Sequence, residues 1–152
     1  MRWLLRALPP VAFIATAWAD SKPWDRLEQD GAIYAGTIDD WKQSVEIYCP
    51  VTGNATLVVQ SPQFRVSMPD DHRYSLTFVT ASGRTDLVAK SKDAELRYEA
   101  SDLNAMVALE QLAEDIANSK SFTVAVSPFG WKNEFTAAGA AEALKGLLQN
   151  CR

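Results

Sequence analysis

The chain has 152 residues, 47% hydrophobic and 22% charged, with 15 basic and 19 acidic residues and a formal net charge of −4. This is the composition of one ordinary folded domain, and it excludes a disordered tail, a collagen-like rod and a large multidomain enzyme. Two cysteines are too few for a disulfide-dense scaffold or a four-cysteine zinc site, one histidine excludes any site needing two, and the acidic balance argues against a nucleic-acid partner.

Residues 1–19 read as a secretory signal peptide. Arg2 and Arg6 supply a positive start, an apolar run over 7–16 follows, and Ala17-Trp18-Ala19 offers the small-x-small pattern of a cleavage site. The run is shorter than the roughly 20 apolar residues of a membrane span. Cleavage near Ala19 leaves one exported globular domain, 20–152, with 13 basic and 19 acidic residues, a formal charge of −6. No later apolar run approaches spanning length, so no transmembrane segment is expected there. The predicted location is periplasmic or secreted.

Along the exported part, residues 20–30 are polar and read as an entry segment, and 32–38 as a first strand. Val45, Ile47 and Cys49 alternate with Ser44, Glu46 and Tyr48, the period of two of a half-buried strand. Thr52-Gly53-Asn54 is a turn, and 55–60 returns as a strand. Residues 64–68 alternate between Pro62 and Pro69 and are predicted extended. Strands at 73–80 and 85–90 flank the turn Ser82-Gly83-Arg84, and a further strand covers 94–100. The period then changes: Leu103, Met106, Val107, Leu109, Leu112, Ala113 and Ile116 predict a helix over 102–118, capped by Ser101 or Asp102. Strands at 122–126 and 133–136 enclose the turn Pro128-Phe129-Gly130, and 138–149 predicts a second helix. The fold class is α+β: a predominantly antiparallel sheet or sandwich with two helices, one of them C-terminal.

Cys49 and Cys151 are the only cysteines. An even count in an exported chain favours one intramolecular disulfide.

His72 lies in Asp70-Asp71-His72-Arg73, after Pro69. Such a segment can be a general base with its carboxylates, or an ordinary solvated turn. Asp39-Asp40, before Trp41, admits the same two readings, as half of a glycosidase carboxylate pair or as a turn. No phosphate loop, dinucleotide fingerprint, zinc-protease or calcium-loop motif occurs, so the sequence points to no catalytic set, metal or cofactor. Asn54-Ala55-Thr56 is a glycosylation sequon in a turn. The candidate binding residues are Phe129, Trp131 and Lys132, near a hairpin tip where aromatics can anchor a partner or fold back over the sheet. Trp24 and Trp41 leave the same two readings open.

The C-terminal run Phe122-Thr123-Val124-Ala125-Val126, then Asn133-Glu134-Phe135-Thr136-Ala137-Ala138-Gly139, then Ala143-Leu144 and Leu147-Leu148 before Cys151, resembles small exported bacterial proteins of the invasion-associated locus B family. Periplasmic accessory proteins of secretion systems are similar. The resemblance covers about the last thirty residues and Cys49, and carries no catalytic residues over. It implies a periplasmic β-rich domain that acts by interaction. The expected function is therefore non-enzymatic binding of a protein or cell-envelope component, for instance as an inhibitor or as a secretion or virulence accessory factor. The alternatives are a small hydrolase using His72 with Asp70 or Asp71, and a carrier of an apolar ligand between sheet and helices.

Overall fold

A computed structural model describes residues 21–151, so the signal-peptide reading of 1–19 falls outside the described residues. Among the described residues, nine strands form one sheet: β1 (Asp25–Gln29), β2 (Ala32–Ile38), β3 (Ser44–Cys49), β4 (Thr56–Gln60), β5 (Arg73–Thr80), β6 (Gly83–Lys92), β7 (Glu95–Glu99), β8 (Ser121–Ser127) and β9 (Trp131–Thr136). Their spatial order is β1-β2-β3-β4-β7-β6-β5-β8-β9, every pair antiparallel. Three short helices complete the fold: α1 (Phe64–Ser67), α2 (Leu103–Ala117) and α3 (Ala140–Leu144), followed by a 3-10 turn at Leu148–Cys151. The class is α+β, as the sequence predicts.

Alternation sets which face each strand buries. Val45, Ile47 and Cys49 of β3, Leu57 and Val59 of β4, Leu76 and Phe78 of β5 and Phe122, Val124 and Val126 of β8 point inward. Leu109, Leu112 and Ile116 of α2 close over that inner face. Each such side chain contributes about 1.5–3 kcal/mol by leaving water. Of the two predicted caps of α2, Ser101 and Asp102, it is Asp102 whose side chain accepts from the amide of Ala105, at 2.8 Å. Leu103 and Val107 stay exposed, so the apolar stripe of α2 begins later than its sequence suggests.

Three elements depart from the sequence reading. The polar entry segment contains β1, an edge strand with four of its five residues exposed, so it carries no apolar alternation to read. Residues 64–68 form a helical turn, not a strand. Phe64 and Met68 are buried and Val66 is 87% exposed, a spacing of four rather than two. The second predicted helix is shorter than expected, because Gly146, at φ 67°, interrupts it before the final 3-10 turn.

The segment 21–24 draws the two ends of the sheet together. Ser21 forms an isolated bridge with Asp39 beyond β2 and accepts the amide of Thr136 on its hydroxyl at 2.6 Å. The Trp24 amide donates to the Ala138 carbonyl at 2.8 Å, and its indole Nε1 donates to the Thr136 carbonyl at 2.9 Å. Gly139 permits this approach. Its φ is 79°, and a Cβ there would stand 2.9 Å from the Trp24 carbonyl oxygen. Cys49, at the end of β3, and Cys151 stand at disulfide distance, with their Cα atoms 5.2 Å apart.

Candidate functional site

The three tryptophans of interest have different fates. Trp24 and Trp131 are buried, each at 5% exposure, whereas Trp41 is 74% exposed. Trp131 opens β9 opposite Val126 and shares its inward parity with Phe135. Its ring meets Phe64 edge-on at 5.3 Å, and Phe129, partly buried, meets the same Phe64 at 5.6 Å. Only Lys132 of that trio faces solvent. The aromatic tip at 129–131 thus folds back over the core, and the tryptophan presented at a hairpin tip is Trp41.

The turn that presents Trp41 is built from below by a buried carboxylate. Asp39 is 5% exposed. Its Oδ1 accepts the Gln43 amide at 2.8 Å, and its Oδ2 accepts Gln43 Nε2 at 2.9 Å and Asn133 Nδ2 at 3.0 Å. The backbone closes the same loop, with the Asp39 amide donating to the Gln43 carbonyl at 2.9 Å and the Lys42 amide to the Asp39 carbonyl at 3.1 Å. Lys42 takes a φ of 63° to complete the reversal. Gln43 is fixed in turn by Trp131, whose Nε1 donates to Gln43 Oε1 at 2.7 Å. The side chains under the turn are therefore satisfied and immobilised, which lowers the entropy cost of using Trp41 as an anchor. Asp39 is spoken for by this scaffold, and its neighbour Asp40 lies on the surface.

Ile38 and Ser44, flanking the turn, also line a groove of about 660 Å³ on the outer face of β1–β4. Its floor follows cross-strand register: Asp25 lies opposite Gly36, and Gly36 opposite Glu46. Gly36 is obligatory for packing, because a Cβ there would come within 2.7 Å of the Val45 carbonyl oxygen. Leu27, Tyr34 and Ile38 form apolar walls, with Tyr34 stacked on Tyr48 at 5.5 Å. Burial raises the pKa of Glu46 above the usual carboxylate range, and the nearby charge of Glu95 adds to the rise.

The structure places His72 on the surface. Its Nδ1 sits 3.0 Å from the backbone carbonyl of Asp70, not from a carboxylate. The Asp70 side chain instead accepts the Asp93 amide at 2.9 Å, and Asp71 lies 3.3 Å from Lys90 Nζ. The buried Ser91 hydroxyl accepts the His72 amide at 3.0 Å and fixes this turn from inside. Neither carboxylate is brought to the imidazole. Asn54 of the sequon is exposed, while Thr56 is buried and donates its hydroxyl to the Asn54 carbonyl at 3.0 Å.

Sequence reasoning singled out the Trp41 turn only as ambiguous, and it missed the groove. The available signal was position: Trp41 falls between two alternating runs, outside either period, directly after two aspartates. No helix among the described residues is long and apolar enough to cross a membrane. No family model, curated protein or solved structure matches the chain.

Proposed function

We propose that the protein is exported and acts without catalysis, as a binding protein for a protein or cell-envelope component. The supporting observation is Trp41, a large aromatic exposed at 74% on a turn pinned by the buried Asp39. Aromatic anchors on pre-ordered loops concentrate binding energy, because the partner does not have to freeze them. Inhibition of an envelope enzyme or service to a secretion system, as in the proteins the C-terminal signature resembles, is a concrete form of this role. The Trp41 turn would then take the anchoring role expected from sequence of the hairpin of Phe129, Trp131 and Lys132.

Two measurements test this reading. N-terminal sequencing of the protein recovered from outside the cytoplasm should begin at Asp20, and an intact Met1 start in a cytoplasmic fraction would overturn export. Affinity capture from the cell envelope should recover a partner with the wild type and lose it with Trp41→Ala. Recovery of the same proteins by both forms would remove Trp41 from the role.

A further inference from the structure

The groove beside the Trp41 turn holds a carboxylate that takes no hydrogen-bond or ion-pair partner from the described residues. Glu46 is partly buried, and among the described residues no hydrogen bond or ion pair reaches its side chain. The polar donors on the neighbouring strands, Gln60 of β4 and Arg97 of β7, are committed to Glu95. Arg97 Nε donates to Glu95 Oε2 at 2.9 Å, its Nη2 lies 2.7 Å from the same oxygen, and Gln60 Nε2 donates to Glu95 Oε1. Ser44, next to Glu46 on this face, gives its hydroxyl to Gln60 at 3.3 Å. Of the cations at the rim, Arg26 is held by the Lys145 carbonyl at 2.7 Å and by Glu28 at 3.7 Å, and Lys22 stands on the lip. A half-dehydrated carboxylate beside a second one is an unfavourable arrangement that a cation from outside would relieve.

The shape of the groove matches such a cation. The position across from Glu46 is Gly36, which has no side chain and cannot acquire one, so the floor between Asp25 and Glu46 stays open. Around that polar floor stand Leu27, at 57% exposure, Ile38 and the Tyr34 ring. An apolar wall with an acid at its base fits a side chain that is a methylene stem ending in a positive charge. A tyrosine face adds attraction for that charge.

We propose that this groove receives a lysine or arginine side chain from a protein partner, its stem against Leu27, Tyr34 and Ile38 and its charge at Glu46 and Asp25. This names the chemistry of the partner and rests on the binding role proposed above. The same face then offers Trp41 to the partner's apolar surface and Glu46 to its basic residue.

The test uses acetyl-Lys-Lys-Lys-amide as the probe and acetyl-Glu-Glu-Glu-amide as the control, each titrated into the purified protein and followed by backbone amide NMR shifts. The lysine peptide should move Gly36, Ser44 and Glu46, and Glu46→Gln should weaken it about tenfold, the scale of one charge-assisted contact. Glu46→Gln conserves shape, and its melting temperature should not fall. Equal affinity in wild type and Glu46→Gln, shifts centred instead on Glu114 and Asp115 of α2, or an equal response to the glutamate peptide would each overturn the proposal. The two readings fail separately. Partner capture lost in Trp41→Ala with lysine-peptide binding indifferent to Glu46 removes only the groove. Glu46-dependent peptide binding with partner capture indifferent to Trp41 removes only the anchor.

Discussion

Two hairpins of this protein each carry a tryptophan in or beside the turn, meet at Gln43, and use it in opposite ways. The turn after β8 delivers Trp131 inward, onto Phe64, because that residue already belongs to β9 and inherits the parity of Phe135. The turn after β2 delivers Trp41 outward, because residues 39–43 lie between strands and obey no parity. The hairpins meet at Gln43, where the inward indole helps hold the outward one in place. An aromatic at a turn is thus assigned by whether it belongs to a paired strand position, and a buried aromatic can serve a surface site by bracing it.

Four substitutions probe that contrast, in descending order of expected effect. Trp131→Ala should cost about 3–5 kcal/mol in a urea melt, since it empties a core site. It should also loosen the turn beside it, which faster amide exchange at Lys42 and Gln43 would report. A cost as small as that of a surface residue would mean the two turns are not distinguished by burial. Asp39→Ala should cost about 2 kcal/mol, because it strips partners from Gln43 and Asn133. It should raise the mobility of Trp41, measured by fluorescence anisotropy decay. Trp41→Ala should change stability by no more than about 0.5 kcal/mol while abolishing partner capture, and a large loss of stability would assign Trp41 to the fold after all.

The smallest effect is on the groove floor. Burial and Glu95 raise the pKa of Glu46 in the folded protein above its ordinary value. The native state then favours the protonated form, so the stability associated with that proton is full at low pH and falls as pH rises through the raised value. Glu46→Gln should therefore melt slightly above wild type at neutral pH, with the gap closing once the pH drops below about 4.5, the ordinary glutamate value. A gap that persisted unchanged in acid would show that ionisation of Glu46 is not its cause.

Much of the architecture was legible because each central strand buries one face, and a period of two survives in Val45-Glu46-Ile47-Tyr48-Cys49 without any tertiary information. β1 was not, since Asp25, Leu27, Glu28 and Gln29 are exposed at the sheet edge and bear no apolar rhythm. The turn at 64–67 escaped because the five residues 64–68 satisfy spacings of two and of four alike, and only the ring contacts of Phe64 with Phe129 and Trp131 select the helical one. The candidate site was least legible. The role of Asp39 depends on Asn133, 94 residues away in the chain, and the groove depends on the register that sets Gly36 between Asp25 and Glu46. Neither relation leaves a local trace in composition or spacing.

The pairing of Cys49 with Cys151 has a consequence for damage as well as for folding. The two positions lie 102 residues apart, and β4 through α3 all fall between them. When they are bonded, a protease cut at an exposed turn such as Ser82–Gly83 severs the backbone without releasing either piece. The nicked molecule would run as one band without reductant and as two with it. Its fragments would also stay paired through β5 and β6, the strands that meet at that turn. In an environment rich in proteases, such a chain can lose a peptide bond and keep its shape.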